Sequence, residues 1–151
     1  MSTNGNPIVV GIDGTPASER ALRWALDEAV TRNCPLHVVN AWAHEPLTEW
    51  SEMDEQEARR KSEALMEEAL RAAAVGRLEF PEIVRRSIRG PAAEVLEKVS
   101  QDAAMLVVAS HTGHRLRKIV LGSTSTHCVR HASAPVVVIP VNDRAHAEAA
   151  R

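Results

Sequence analysis

Cysteine is scarce in this 151-residue chain: there are two, Cys34 and Cys128, far apart and in no metal-ligand spacing. That usage suggests ordinary reduced thiols of a cytosolic protein rather than a metal-binding cysteine cluster. Charge of one sign is also lacking. Eighteen Lys and Arg against twenty Asp and Glu leave a formal charge of -2, so nothing in the bulk electrostatics points to nucleic acid or an anionic membrane as partner. No apolar run approaches the roughly 20 residues of a membrane span. Met1–Pro7 is polar, without the apolar segment of a secretory signal, and the cytoplasm is the expected compartment. The common catalytic signatures are missing as well: no G-x-x-x-x-G-K-[ST], G-x-S-x-G, C-x-x-C or G-x-G-x-x-G occurs. No pair of carboxylates is singled out by spacing.

What is present is an ordinary globular composition, 44% hydrophobic and 25% charged, at a length that suits one domain with one substantial core. Ile8–Ile12 is a short apolar run closed by the turn dipeptide Asp13-Gly14. Thr15-Pro16 then reads as N-cap and first helical residue. Ala21, Leu22, Ala25, Leu26 and Ala29 follow at helical spacing, and Asn33-Cys34-Pro35 ends that helix. Leu36–Trp42 is the second strand. A polar segment, Ala43–Asp54, is expected as a surface loop that could act as a lid. A long helix follows over about Glu55–Val75, with Ala58, Leu65, Ala69 and Ala73 near one face and Gly76 as its stop. Ile83–Ile88 is a third strand, and its arginines suit a sheet edge. Gly90-Pro91 opens a third helix with Ala92, Val95, Leu96 and Val99 inward. Met105–Val108 is apolar throughout, as a strand covered on both faces should be. Thr124–His131 forms a fourth helix and Val136–Ile139 a fifth strand. Strict alternation of this kind argues for an α/β fold, a parallel sheet with helices on both faces. One domain spanning residues 1–151 is expected, ordered over about 7–141, with a frayed tail from Ala145.

The most informative stretch is Ala104–Val141: an apolar strand, a basic loop rich in Gly, Ser and Thr, a short helix and a last apolar strand. From Ser110 to Pro135 stand Arg115, Arg117, Lys118 and Arg130 and no acid. Unpaired helix N–H groups, the helix dipole and nearby hydroxyls are what a phosphate needs. The bland alternatives are an ordinary Ser N-cap at Ser123 and a solvated basic loop. His127 and His131, four apart, could share a helix face, but spacing specifies no third or fourth metal ligand, and no metal site is expected among them, His111 and His114.

These residues resemble the universal stress protein family. The likeness runs through Val9-Val10-Gly11-Ile12-Asp13-Gly14-Thr15, Gly90-Pro91-Ala92-Ala93-Glu94-Val95-Leu96, and Ala109–Val141 with its Leu121-Gly122-Ser123 and Ala134-Pro135-Val136. The resemblance implies an open five-stranded parallel sheet in the order 3-2-1-4-5, adenine nucleotide alpha hydrolase-like. Its switch point between the first and fourth strands opens a crevice. It implies ATP or a related adenine nucleotide there, with magnesium as its possible companion, on Gly11, Ile12, Asp13, Ala41, Val108, Ala109, Thr112, Gly113, Gly122, Ser123, Thr124 and Ser125.

Nucleotide-binding members carry Gly, two residues, Gly, nine residues, then Gly with a hydroxyl residue. In that register Gly122-Ser123 is kept, while Ala109 and Thr112 replace the first two glycines. Either Gly113, one place off, takes over the turn, or the triphosphate site is lost, because a β-branched Thr at positive φ is strained. Asp13 reads either as a ribose or base acceptor or as a turn residue. Ala41 and Val108 are equally good core residues.

The expected function is a cytosolic stress-response protein binding an adenine nucleotide. The alternatives are a nucleotide-free dimer working through protein contacts and a weak hydrolase in which Asp13 positions water. A homodimer is expected through the last strand, Val136–Val141, an apolar edge.

Overall fold

The computed structural model describes residues 5–43, 51–110 and 121–140. Nine elements alternate along the chain: β1 (Ile8–Gly11), α1 (Pro16–Arg32), β2 (Leu36–Trp42), α2 (Ser51–Ala74), β3 (Ile83–Arg89), α3 (Ala92–Val99), β4 (Met105–Ala109), α4 (Ser123–His131) and β5 (Val136–Ile139). The strands form one sheet in the order β3-β2-β1-β4-β5, every neighbouring pair parallel. This is the open α/β sheet that the alternation and the family likeness lead one to expect.

Successive residues of a strand point to opposite faces, and the two faces carry separate cores. Ile8, Val10, Leu36, Val38, Met105 and Val107 pack with Leu22, Leu26, Met66 and Leu70 of α1 and α2. Val9, Val39, Leu106 and Val108 pack on the other side with Val95 and Leu96 of α3 and Cys128 of α4. β1 and β4 are therefore apolar along their length, which only a sheet covered on both faces tolerates.

Local signals set most boundaries. Thr15 caps α1, its hydroxyl accepting from the Ser18 N–H at 3.2 Å. At the other end Asn33 takes the left-handed conformation at φ 52° and returns its N–H to the last turn. Gly76, at φ +79°, follows α2. Two expectations need correction. The second helix begins at Ser51, four residues before the expected start, so the end of the expected loop is helix; residues 44–50 lie outside the described residues. Its deepest stripe is Ser62, Met66, Leu70 and Ala73, with Ala58, Leu65 and Ala69 half-buried beside it. The larger Met66 and Leu70 win the core, and Ser62 is drawn in by accepting a 2.6 Å hydrogen bond from Ser87 of β3.

β3 and β5 are the two edges. Arg85 and Arg89 of β3 are exposed, the kind of charge that blunts an edge, whereas all four residues of β5 are half-buried valine and isoleucine.

Candidate functional site

Parallel order 3-2-1-4-5 sends the chain from β1 and from β4 to opposite sides, and a crevice opens where their C-terminal ends part. Gly11, Ile12 and Asp13 form its floor on the β1 side. Val108 and Ala109 of β4, Val39 and Ala41 of β2, and Ser18 of α1 complete the base. Ala92 and Leu96 of α3 close one wall, and Thr124 and Ser125 of α4 the other. The crevice measures about 80 Å³. A second hollow of about 340 Å³ shares Asp13 and Ala41 with it and reaches under α2 to Trp42, Lys61 and Leu65.

Hydrogen bonds fix this geometry. The Asn40 amide donates to the Ile12 carbonyl at 2.8 Å, and the Ile12 N–H donates to the Val39 carbonyl at 2.9 Å, so the chain leaving β1 stays tied to β2 as it turns into Asp13. Asp13 is a turn residue as the sequence allows: its Oδ1 accepts from the Thr15 N–H at 2.9 Å and the Thr15 hydroxyl at 2.6 Å. Ser18, 4% exposed, accepts from the Asp13 N–H and donates to the Thr15 carbonyl. The turn holds the exposed Asp13 carboxylate at the mouth of the crevice. Gly11 has ordinary φ. A methyl there would stand 2.8 Å from Leu96 Cδ1, so this glycine lets α3 settle against β1.

On the opposite wall, the N-cap of α4 is Gly122, at φ -64° and ψ 170°, with no side-chain cap hydrogen bond. This corrects the expectation of a Ser123 cap: Ser123 is the first helical residue and is exposed. Gly122 adopts extended backbone open to any residue, so its φ does not explain a glycine. The first-turn N–H groups of a helix have no internal acceptor and carry the positive end of the dipole. Ser125 is 1% exposed and donates its hydroxyl to the Ala109 carbonyl at 2.9 Å, tying α4 to β4. That bond engages the Ser125 hydroxyl, and Thr124 is the other α4 hydroxyl lining the crevice.

Of the twelve residues the resemblance implies, eight line this one crevice: Gly11, Ile12, Asp13, Ala41, Val108, Ala109, Thr124 and Ser125. Gly122 and Ser123 stand beside it without lining it. Thr112 and Gly113, with Arg115, Arg117 and Lys118, lie outside the described residues. Ser18, Val39, Ala92 and Leu96 were missed as site residues; the inward face of the third helix was the available signal for Leu96.

Among the described residues, the other titratable groups do not line the crevice. Burial pushes the Cys34 thiol up, and burial followed by the Glu97 carboxylate does the same to Cys128, so neither is an activated nucleophile. His127 and His131 do share a face, rings 4.5 Å apart, with His127 Nε2 2.8 Å from Glu97. Among the described residues, no group of three His, Cys, Asp or Glu is placed to hold a metal ion, and no helix is long and apolar enough to cross a membrane.

The family model described as the universal stress protein family matches residues 5–140. The chain belongs to the universal stress protein family. A universal stress protein of Mycobacterium tuberculosis is 34% identical over 143 residues, covering 92% of this chain and 51% of the relative. The chain spans about half the length of the curated relatives it matches. A universal stress protein solved in complex with cAMP is 26% identical, with a TM-score of 0.62 over 89% of this chain and 95% of that one. The universal stress protein UspA from Lactobacillus plantarum, 18% identical, superimposes with a TM-score of 0.72 over 89% of this chain and 97% of its own, a likeness of fold.

Proposed function

We propose that this universal stress protein binds an adenine nucleotide, ATP or a relative with or without magnesium, in the crevice between β1 and β4, and acts as a cytoplasmic stress-response protein rather than as an efficient enzyme. One observation carries the reading: Asp13 and the first turn of α4, which no side chain caps, line a single switch-point crevice. The complex of a 26% identical relative with cAMP supports the same ligand class. The base lies against Ala41, Val108 and Leu96, and Asp13 accepts from a ribose hydroxyl. Thr124 and the first-turn N–H groups of α4 receive phosphate.

Calorimetric titration with ATP-magnesium, ADP, AMP and cAMP tests this, alongside Asp13→Ala. Saturable heat weakened by that substitution supports the reading. No heat at millimolar nucleotide removes it.

A nucleotide-free mode of action is the second reading, and the crevice's volume favours it. About 80 Å³ is well below the ~300 Å³ at which small-molecule pockets begin. Nucleotide found by mass spectrometry in the denatured supernatant of purified protein ends that alternative.

The protein also pairs with a second copy through β5. Leu106 donates to the Pro135 carbonyl and Ser110 to that of Ile139. By the period of two, the N–H and C=O groups of Val136 and Val138 therefore point away from β4. Pro140 has no N–H, and its carbonyl accepts from Arg20 at 2.8 Å. The pairing edge is thus Val136 and Val138; Val141, part of the expected interface, lies outside the described residues.

A further inference from the structure

We propose that the hollow beneath α2 is a second binding site, for a small uncharged aromatic amide that donates to Asn40 and accepts from Ser62. The inference does not depend on the nucleotide reading. The hollow measures about 340 Å³, which falls within the range of small-molecule pockets.

Two buried polar groups on its lining are incompletely bonded. The first is Asn40, 6% exposed. Strand residues alternate between faces. Ala41 packs with the core on the α3–α4 side, so Asn40 and Trp42 turn toward α2, and both line the hollow. The Asn40 amide donates one N–H to the Ile12 carbonyl at 2.8 Å. A carbonyl only accepts, so the amide nitrogen faces Ile12 and Oδ1 turns away from it. Among the described residues nothing donates to that oxygen.

The second group is Ser62 of α2, 3% exposed and on the same lining. Trp42 Nε1 donates to Ser87 Oγ at 2.9 Å, and Ser87 donates to Ser62 Oγ at 2.6 Å. An indole N–H only donates, so this relay starts at Trp42 and ends on the Ser62 proton. Among the described residues that proton has no acceptor. The two groups are neighbours. Asn40 and Ser87 are register partners on adjacent strands, about 4.8 Å apart, and Ser62 is one hydrogen bond from Ser87.

The great majority of buried polar groups in folded proteins are paired. An acceptor and a donor left open side by side in one hollow are therefore the mark of a ligand. A water molecule fills about 30 Å³, a small part of this space. The rest of the lining is apolar, with Trp42, Ala58 and Leu65 around the polar pair. Asn40 and Ser62 are neutral dipoles, which do not repay the desolvation of a charge. An aromatic primary amide meets each demand: its N–H reaches Asn40 Oδ1, its carbonyl accepts from Ser62, and its ring lies against the apolar wall.

The test is a proton–nitrogen NMR titration of the unaltered protein with benzamide, acetophenone and benzoate, followed at the Trp42 indole N–H and the Asn40 side-chain amide. Benzamide should shift both signals saturably at millimolar concentration. Acetophenone has the same shape without the N–H donors and should bind about tenfold more weakly; benzoate, charged and also without a donor, should bind no better. Ser62→Ala should weaken benzamide several-fold and leave acetophenone closer to its wild-type value than benzamide. The comparison between ligands uses one folded protein, so instability of a variant does not enter it. No shift at Trp42 up to the solubility limit of benzamide means that the hollow holds water alone and overturns the proposal. Equal affinity for benzamide and acetophenone overturns it too, as does a benzamide response confined to the crevice amides of Gly11 and Val108.

Discussion

Gly11→Ala separates two explanations of a glycine at the crevice floor. If Gly11 is there for α3, an added methyl is a packing fault. Built on the backbone, that methyl lies 2.8 Å from Cδ1 and 3.0 Å from Cδ2 of Leu96, itself 4% exposed. The obstructing atoms are the far end of one side chain, so relief by rotation is partial. The cost falls in the lower half of the usual overpacking range, about 1–2 kcal/mol. Leu96→Ala alone should cost about 2–5 kcal/mol as a core truncation. In the double variant the new methyl occupies space that Leu96 vacates, so the two costs do not add: the pair is less destabilised than the sum by about 1–2 kcal/mol. Urea unfolding followed by the fluorescence of the buried Trp42 and half-buried Trp24 measures all four corners of the cycle. Strict additivity refutes the packing account. So does a Gly11→Ala protein of unchanged stability whose nucleotide affinity alone collapses, which would make the glycine a ligand contact.

Protonation of His37 should weaken the fold. Burial, then the Arg86 guanidinium, lowers its pKa from the ordinary 6.5. The unfolded chain then binds more protons, so this contribution is intact above about pH 6.5 and is lost as pH falls from there through the folded value. His37→Gln should flatten that part of the stability curve in urea melts at a series of pH values; an unchanged slope contradicts the assignment. Val138→Pro removes an outward N–H without touching the β4 ladder, a position where an edge strand tolerates proline. Light scattering at micromolar concentration should show a dimer for the wild type and a monomer for this variant. Ser125→Ala leaves the Ala109 carbonyl without its 2.9 Å donor and should cost about 1 kcal/mol, read as a lower urea midpoint.

The strands were legible because central parallel strands are strongly apolar: Met105–Val108 was marked out by composition alone. Their spatial order was not, since nothing in the β1 or β4 residues names a neighbour; it came from the family likeness. The start of α2 was hidden because Ser51–Asp54 adds no residue to an apolar stripe. Ser62 was hidden because a buried serine satisfied by another serine looks like a surface residue. At the candidate site, Asp13 could be read from turn chemistry and Thr124 from the run of hydroxyl residues that opens α4. The third helix was placed inward by its apolar face, but nothing singled out Ala92 and Leu96 as crevice lining, since they are chemically indistinguishable from core. Which residue caps α4 depended on the backbone angles of Gly122, which the Gly-Ser-Thr-Ser pattern leaves open.

The claim that matters most is where a nucleotide sits. A crystal grown with AMP, and a second grown with ATP, measures it directly. The account predicts density between Asp13 and Thr124, with the ribose within hydrogen-bonding reach of the Asp13 carboxylate and a phosphate over the first turn of α4. An empty crevice at saturating ligand, or nucleotide lodged elsewhere on the molecule, would contradict it.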